Sequence, residues 1–208
     1  MNKIDYNQQM IKEINSLKSK PKLLLHSCCA PCSSSVLERL NKFFDITVFF
    51  YNPNINTSEE YFKRQNEEIR LIEELNKEHN GNNLIKIITN PHLNEDYLSV
   101  VKGFENEKEG GSRCDKCFEL RLSKTAEFAK LNEFEYFTTT LSVSPHKNAQ
   151  KLNEIGNIIA KQYDIKFLIS DFKKQDGYKR SIELSKKYGL YRQNYCGCKF
   201  SKQNNLED

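Results

Sequence analysis

No stretch of this 208-residue chain stays apolar over the ~20 residues needed to cross a bilayer, which excludes a helical membrane protein. The first residues, MNKIDYNQQMIKEINSLKSKPK, lack the continuous apolar core of a secretory signal, so a cytoplasmic protein with no membrane partner is expected. There is no internal repeat and no low-complexity tract, which argues against solenoids and disordered arrays. Glycine is scarce where a phosphate-binding loop would need it. The segment after the first apolar run, SCCAPCSS, has none and contains a proline. What remains is ordinary for a globular domain, with 38% apolar and 29% charged residues.

Cysteine is the exception, with seven residues. A reducing compartment does not favour permanent disulfides, and a disulfide scaffold would scatter its cysteines along the chain. Here they form three tight groups: Cys28, Cys29 and Cys32; Cys114 and Cys117; Cys196 and Cys198. Buried cysteines acting as small hydrophobes account for single residues but not for grouping. Charge is uneven too. Residues 166–202 hold ten Lys or Arg against three acids, +7 in a chain of net charge +4. Such a stretch suits an anionic partner such as nucleic acid, or is simply a solvated lysine face.

Five short runs rich in β-branched and aromatic residues predict strands at 22–26, 46–51, 84–89, 136–141 and 166–170. Helical spacing predicts an N-terminal helix through Ile4, Ile11, Ile14 and Leu17. A second helix follows a Thr57/Glu60 capping box and ends at Asn80-Gly81. A third starts near Cys117, and a fourth runs from Leu152 to Tyr163. The polar segment 102–113 reads as a mobile loop or insertion. The alternation predicts an α/β fold, a mainly parallel five-stranded sheet with helices on both faces. The expected division is an N-terminal helix at 1–20, one catalytic α/β domain at 21–203 and an acidic tail at 204–208. Ligands of such sheets bind beyond the carboxyl ends of the strands, where the first cysteine group falls.

Cys28 and Cys29 can aim two thiolates from a strand-to-helix turn, and Cys114 and Cys117 place two more about one helical turn apart. Four thiolates suit tetrahedral zinc or a cubane iron–sulfur cluster. Adjacent cysteines are unusual in structural zinc sites, which favours iron. Gly197 lets Cys196 and Cys198 approach, as a strained and reducible bridge or as joint ligands of one metal. Arg192 and Lys199 are placed to lower their pKa values. Cys32 is left over, as a supporting or a plain buried thiol.

HSCCAPCSS, GSRCDKCFELRLSKTAEFA, FTTTLSVSPHKN and SDFKKQDGYKRSIELSKKYGLYRQNYCGCKFS resemble, in order, the epoxyqueuosine reductases of the QueH family. The likeness runs from about residue 22 to 201. It implies a nucleotide-hydrolase-like (HUP-like) fold and reduction of the epoxide of epoxyqueuosine, at the wobble position of tRNA, to give queuosine. It implies Cys28, Cys29, Cys114 and Cys117 as ligands of a 4Fe–4S cluster, and Cys196 with Cys198 as a redox-active pair. It further implies a second, mononuclear iron bound by cysteines and an aspartate, for which Asp171 is the choice and Asp115 the rival. Asp171 is also a reasonable helix N-cap.

Epoxide-to-alkene reduction consumes two electrons and two protons, which no ordinary side chain supplies. An electron donor not identifiable from the sequence is therefore expected as a partner, besides the tRNA. His146, after Pro145 in a strand-end loop, is the expected proton donor. His26, at the end of an apolar strand, is more readily a satisfied core histidine. Lys173, Lys174 and Arg192, with Lys179 and Arg180, are expected on tRNA phosphates, and Tyr178, Tyr191 or Tyr195 stacked on an extruded base. The rivals are a tRNA sulfur transferase of the ATP-pyrophosphatase type, which the glycine-free SCCAPCSS disfavours, a zinc-stapled RNA-binding protein, and a thiol–disulfide oxidoreductase.

Overall fold

The computed structural model of the chain describes residues 4–79 and 82–204. The expected stop at Asn80-Gly81 and residues 205–208 of the expected tail lie outside the described residues. Five strands form one sheet: β1 (Lys22–His26), β2 (Asp45–Phe50), β3 (Lys86–Thr89), β4 (Tyr136–Thr139) and β5 (Lys166–Phe167). Their order is β3-β2-β1-β4-β5, and every pair is parallel, so the sheet expected to be mainly parallel is wholly so. The architecture agrees with a HUP-like α/β fold.

Alternation along each strand splits the core into two layers. Leu23, Leu25, Ile46 and Val48 face helices α1 (Tyr6–Ser16), α2 (Ala30–Leu40) and α3 (Ser58–Glu78) through Met10, Ile14, Leu37, Leu40, Leu71 and Ile72. Leu24, Phe49 and Phe137 face α5 (Ser112–Leu131) and α6 (Ala149–Tyr163) through Leu122, Ala126 and Ile159. Each such side chain contributes roughly 1.5–3 kcal/mol when fully buried. Three helices are not among those expected from the spacing: α4 (Asn94–Val100), α7 (Gly177–Lys187) and α8 (Lys199–Asn204). Of these, α7 packs on α2. No described helix is long and apolar enough to cross a membrane.

The edge strands are shorter than their apolar runs because side chains take over their backbone groups. Asn76 holds both the amide and the carbonyl of Ile85 at 2.8 Å, ahead of β3. Thr138 Oγ1 donates to the Leu168 carbonyl, and Asn153 Oδ1 accepts from the Ser170 amide, beyond β5. The run at 136–141 breaks after Thr139, whose Oγ1 accepts from the Leu141 amide and opens a 3-10 turn over Thr140–Val143. Thr57 is the N-cap of α3, but the expected box does not close. Its side chain makes no cap bond, and Glu60 binds Arg64 and Tyr191 instead. In the segment expected to be mobile, the carbonyls of Phe104, Glu105 and Glu107 all accept from Arg113 Nη1.

Candidate metal and active site

Successive strands step away from β1 in one direction and from β4 in the other, so a crevice opens between their carboxyl ends. β1 runs into Cys28 and Cys29, the latter the N-cap of α2, with Pro31 in its first turn. The amino-terminal end of the helix thus lies beside the thiols. Thr140, within the run expected as a strand at 136–141, bridges the two strand ends. Its Oγ1 accepts from the Cys28 amide at 3.2 Å and lies 3.4 Å from Cys28 Sγ.

All seven cysteines are free. The sulfurs of Cys28, Cys29 and Cys32 lie within 4.8 Å of one another, so the thiol that had no assigned place belongs to a triad spaced for one metal ion. Cys28 also packs against the cluster formed by Cys114, Phe118, Leu141 and Leu152. Cys117 and Cys198 share a further cluster with Tyr97 and Val101. Cys196 lines the same cavity, of about 330 Å³, as Cys28, Cys29 and Cys32. Three groups far apart in sequence therefore meet at one sheet edge.

Two buried arginines, absent from the expected site, lie beneath them. Arg121 on α5 donates to Cys117 Sγ (3.8 Å), Asn52 Oδ1 (2.7 Å) and His26 Nε2 (3.3 Å). Arg64 on α3 donates to Glu60 Oε1 (2.7 Å) and the Cys196 carbonyl (3.2 Å), while its buried Nη2 has no partner among the described residues. Both are 2% exposed. A buried guanidinium is tolerable only with negative charge beside it. Glu60 supplies it for Arg64, and the Cys28 thiol supplies it for Arg121. Arg121 was legible in principle. Cys114, Cys117 and Arg121 follow at helical spacing, a polar stripe on one face of α5.

The thiols are unequal. Hydrogen bonds from Cys29 and Cys32, helped by the Arg121 charge, hold Cys28 well below the ordinary thiol value. Cys29 is pushed up to about 12, chiefly by its hydrogen bond to Cys28. Cys198 hydrogen-bonds Cys196 and lowers it, as do Lys147 and Arg121, while Cys198 itself is raised. The cations acting on Cys196 are therefore Lys147 and Arg121, in place of the expected Arg192 and Lys199. Gly197 between them has φ +115°, and a Cβ there would press on Arg64 and Ile55, so this turn needs glycine.

His26 is fully buried, with Nδ1 2.8 Å from Thr139 Oγ1. Burial and then Arg121 lower its pKa to about 3, which keeps it neutral. His146 is exposed on the cavity rim, and the neighbouring Lys147 is the buried cation. Asp171 pairs with Lys173 at 2.8 Å and is not among the cavity-lining residues. Asp115 pairs with Lys151, also at 2.8 Å. Asp171 caps no helix, since Asp176 is the N-cap of α7. Lys174 is exposed, and Arg192 reaches over the Tyr178 ring at the cavity mouth.

The family model "Epoxyqueuosine reductase QueH" matches residues 23–204. The chain belongs to the QueH family. Curated relatives named epoxyqueuosine reductase QueH include one from Streptococcus pyogenes, 43% identical over 96% of this chain and 78% of its own length. One from Staphylococcus aureus is 42% identical over 96% and 84%. One from Thermotoga maritima is 37% identical over 86% and 89%. QueH proteins are oxidoreductases of queuosine tRNA modification, and this chain spans most of their length.

Proposed function

We propose that this chain reduces epoxyqueuosine to queuosine at the wobble position of tRNA, working in the cytoplasm. The observation that carries this is the convergence of three cysteine groups over two buried arginines at the switch point of the sheet. The donor set fits an iron–sulfur group. It is sulfur-rich, it is shielded, and the buried Nη2 of Arg64, whose guanidinium reaches the Cys196 carbonyl, is orphaned.

In this reading Cys28, Cys29, Cys114 and Cys117 hold a 4Fe–4S cluster, which when bound supplies electrons singly. Cys196 and Cys198 are the redox pair. Closing them to a disulfide releases two electrons and two protons, the amount needed to turn an epoxide into an alkene and water. A donor in solution then reopens the bridge. A second iron would draw on Cys196, Cys198 and Asp171, whose carboxylate must first leave Lys173. His146 is placed to exchange protons with solvent at the rim. Lys173, Lys174 and Arg192 would meet tRNA phosphates, and Tyr178 would stack on an extruded base.

Anaerobic purification with iron and sulfide analysis, followed by assay on epoxyqueuosine-containing tRNA, tests the proposal. Brown protein that yields queuosine is expected. Colourless protein carrying zinc and inert toward this tRNA would return the chain to the zinc-stapled RNA-binding reading.

A further inference from the structure

Lys147 is drawn deep into the cysteine cavity, 8% exposed, with Nζ 2.9 Å from Glu109 Oε1. Glu109 lines the same cavity from the loop that precedes Cys114, and its side chain is 36% exposed. A surface ion pair that merely ties two loops gains little. This one sets a buried ammonium and an accessible carboxylate side by side, next to the Cys196 thiol.

The substrate has the mirror arrangement. Epoxyqueuosine carries a secondary amine, protonated at neutral pH, on the ring carbon adjoining the epoxide. A carboxylate and an ammonium in contact match a cation and an oxygen on neighbouring carbons. We propose that the Lys147–Glu109 pair is the docking point for this amino-epoxide: Glu109 exchanges Lys147 for the substrate's ammonium, and the released Lys147 donates hydrogen bonds to the epoxide oxygen. This inference rests on the chain being an epoxyqueuosine reductase. It makes Glu109 a specificity residue and Lys147 a catalytic one, since the lysine meets negative charge that grows on the oxygen as the C–O bond breaks.

The test uses the reconstituted holoenzyme and three forms of one tRNA, with epoxyqueuosine, queuosine or unmodified guanine at the wobble position. Glu109→Gln weakens binding of the first two, which carry the amine, by roughly tenfold to a hundredfold, and leaves the guanine form unchanged. Lys147→Met lowers kcat at saturating tRNA by roughly a hundredfold or more without weakening affinity for the queuosine form, and Lys147→Arg recovers part of the rate. Equal effects of Glu109→Gln on all three tRNAs, or a wild-type kcat in Lys147→Met, would overturn the proposal. If Lys147→Met does not fold, the binding arm with Glu109→Gln, on an accessible loop, decides alone. A wild-type enzyme that fails to reduce the epoxide refutes the functional reading. The same binding arm still judges the pair.

Discussion

At the scale of single residues, a division of labour among the sulfurs has a direct consequence. Cys196→Ser and Cys198→Ser should abolish turnover while most of the iron stays bound, because four other cysteines are assigned to the cluster. Absorbance and iron content check this, and loss of the cluster in either variant would refute the assignment. Glu68 is a second case. It is 0% exposed, beside the hydroxyls of Ser27 and Ser33, with no well-formed hydrogen bond to its carboxyl oxygens from the described residues. Burial raises its pKa to about 7 from 4.5. Between these values the folded state binds the extra proton, so its stabilising contribution is complete below pH 4.5 and is lost as pH rises through about 7. The window amounts to something on the order of 3 kcal/mol. Glu68→Gln, which mimics the neutral acid, should flatten urea-unfolding stability between pH 5 and 8, and curves parallel to wild type would contradict it. The cysteines of the site were readable from their spacing, since grouping is a sequence property. Arg64 and Lys147 were not, because a charged side chain on a helix or loop is usually solvated, and only the fold determines which ones turn inward.

At the scale of elements, the three inner strands stood out because strands covered on both faces leave long apolar runs. The edges were misjudged where Asn76, Thr138 and Asn153 replace ladder bonds with side-chain bonds, which apolarity cannot reveal. Helix α7 was hidden because its buried face is small and polar, with Ser181 and Ser185 beside Leu184. Helix α6 shows how closely an element can be fitted. Gly156 lies against Phe167 of β5, and a Cβ at that position would strike the ring. Gly156→Ala should therefore lower stability by about 1–3 kcal/mol through overpacking, despite alanine's better helix propensity. Thermal unfolding reads this out, and a stabilised variant would mean that the α6–β5 contact yields easily.

At the scale of the whole molecule, the excess charge of residues 166–202 acquires a place. Tyr178, Ser181 and Arg192 through Cys196 line the cavity mouth, so the basic segment borders the opening rather than the far end of the sheet. An anionic backbone crossing this edge would release counterions, and its affinity should fall steeply with salt. The segment's cations are not equivalent, however. Lys173 is tied to Asp171 and Arg180 to Glu38 and Glu183, whereas Lys174 is exposed. Lys174→Ala should therefore reduce the slope of log affinity against log salt by roughly 0.7–0.9, and Lys173→Ala by less. Lys86, exposed at the start of β3, is the control, because that end of the sheet is opposite the cysteines. An affinity indifferent to salt, or an equal loss from Lys86→Ala, would mean that tRNA does not approach across the rim that the cysteines occupy.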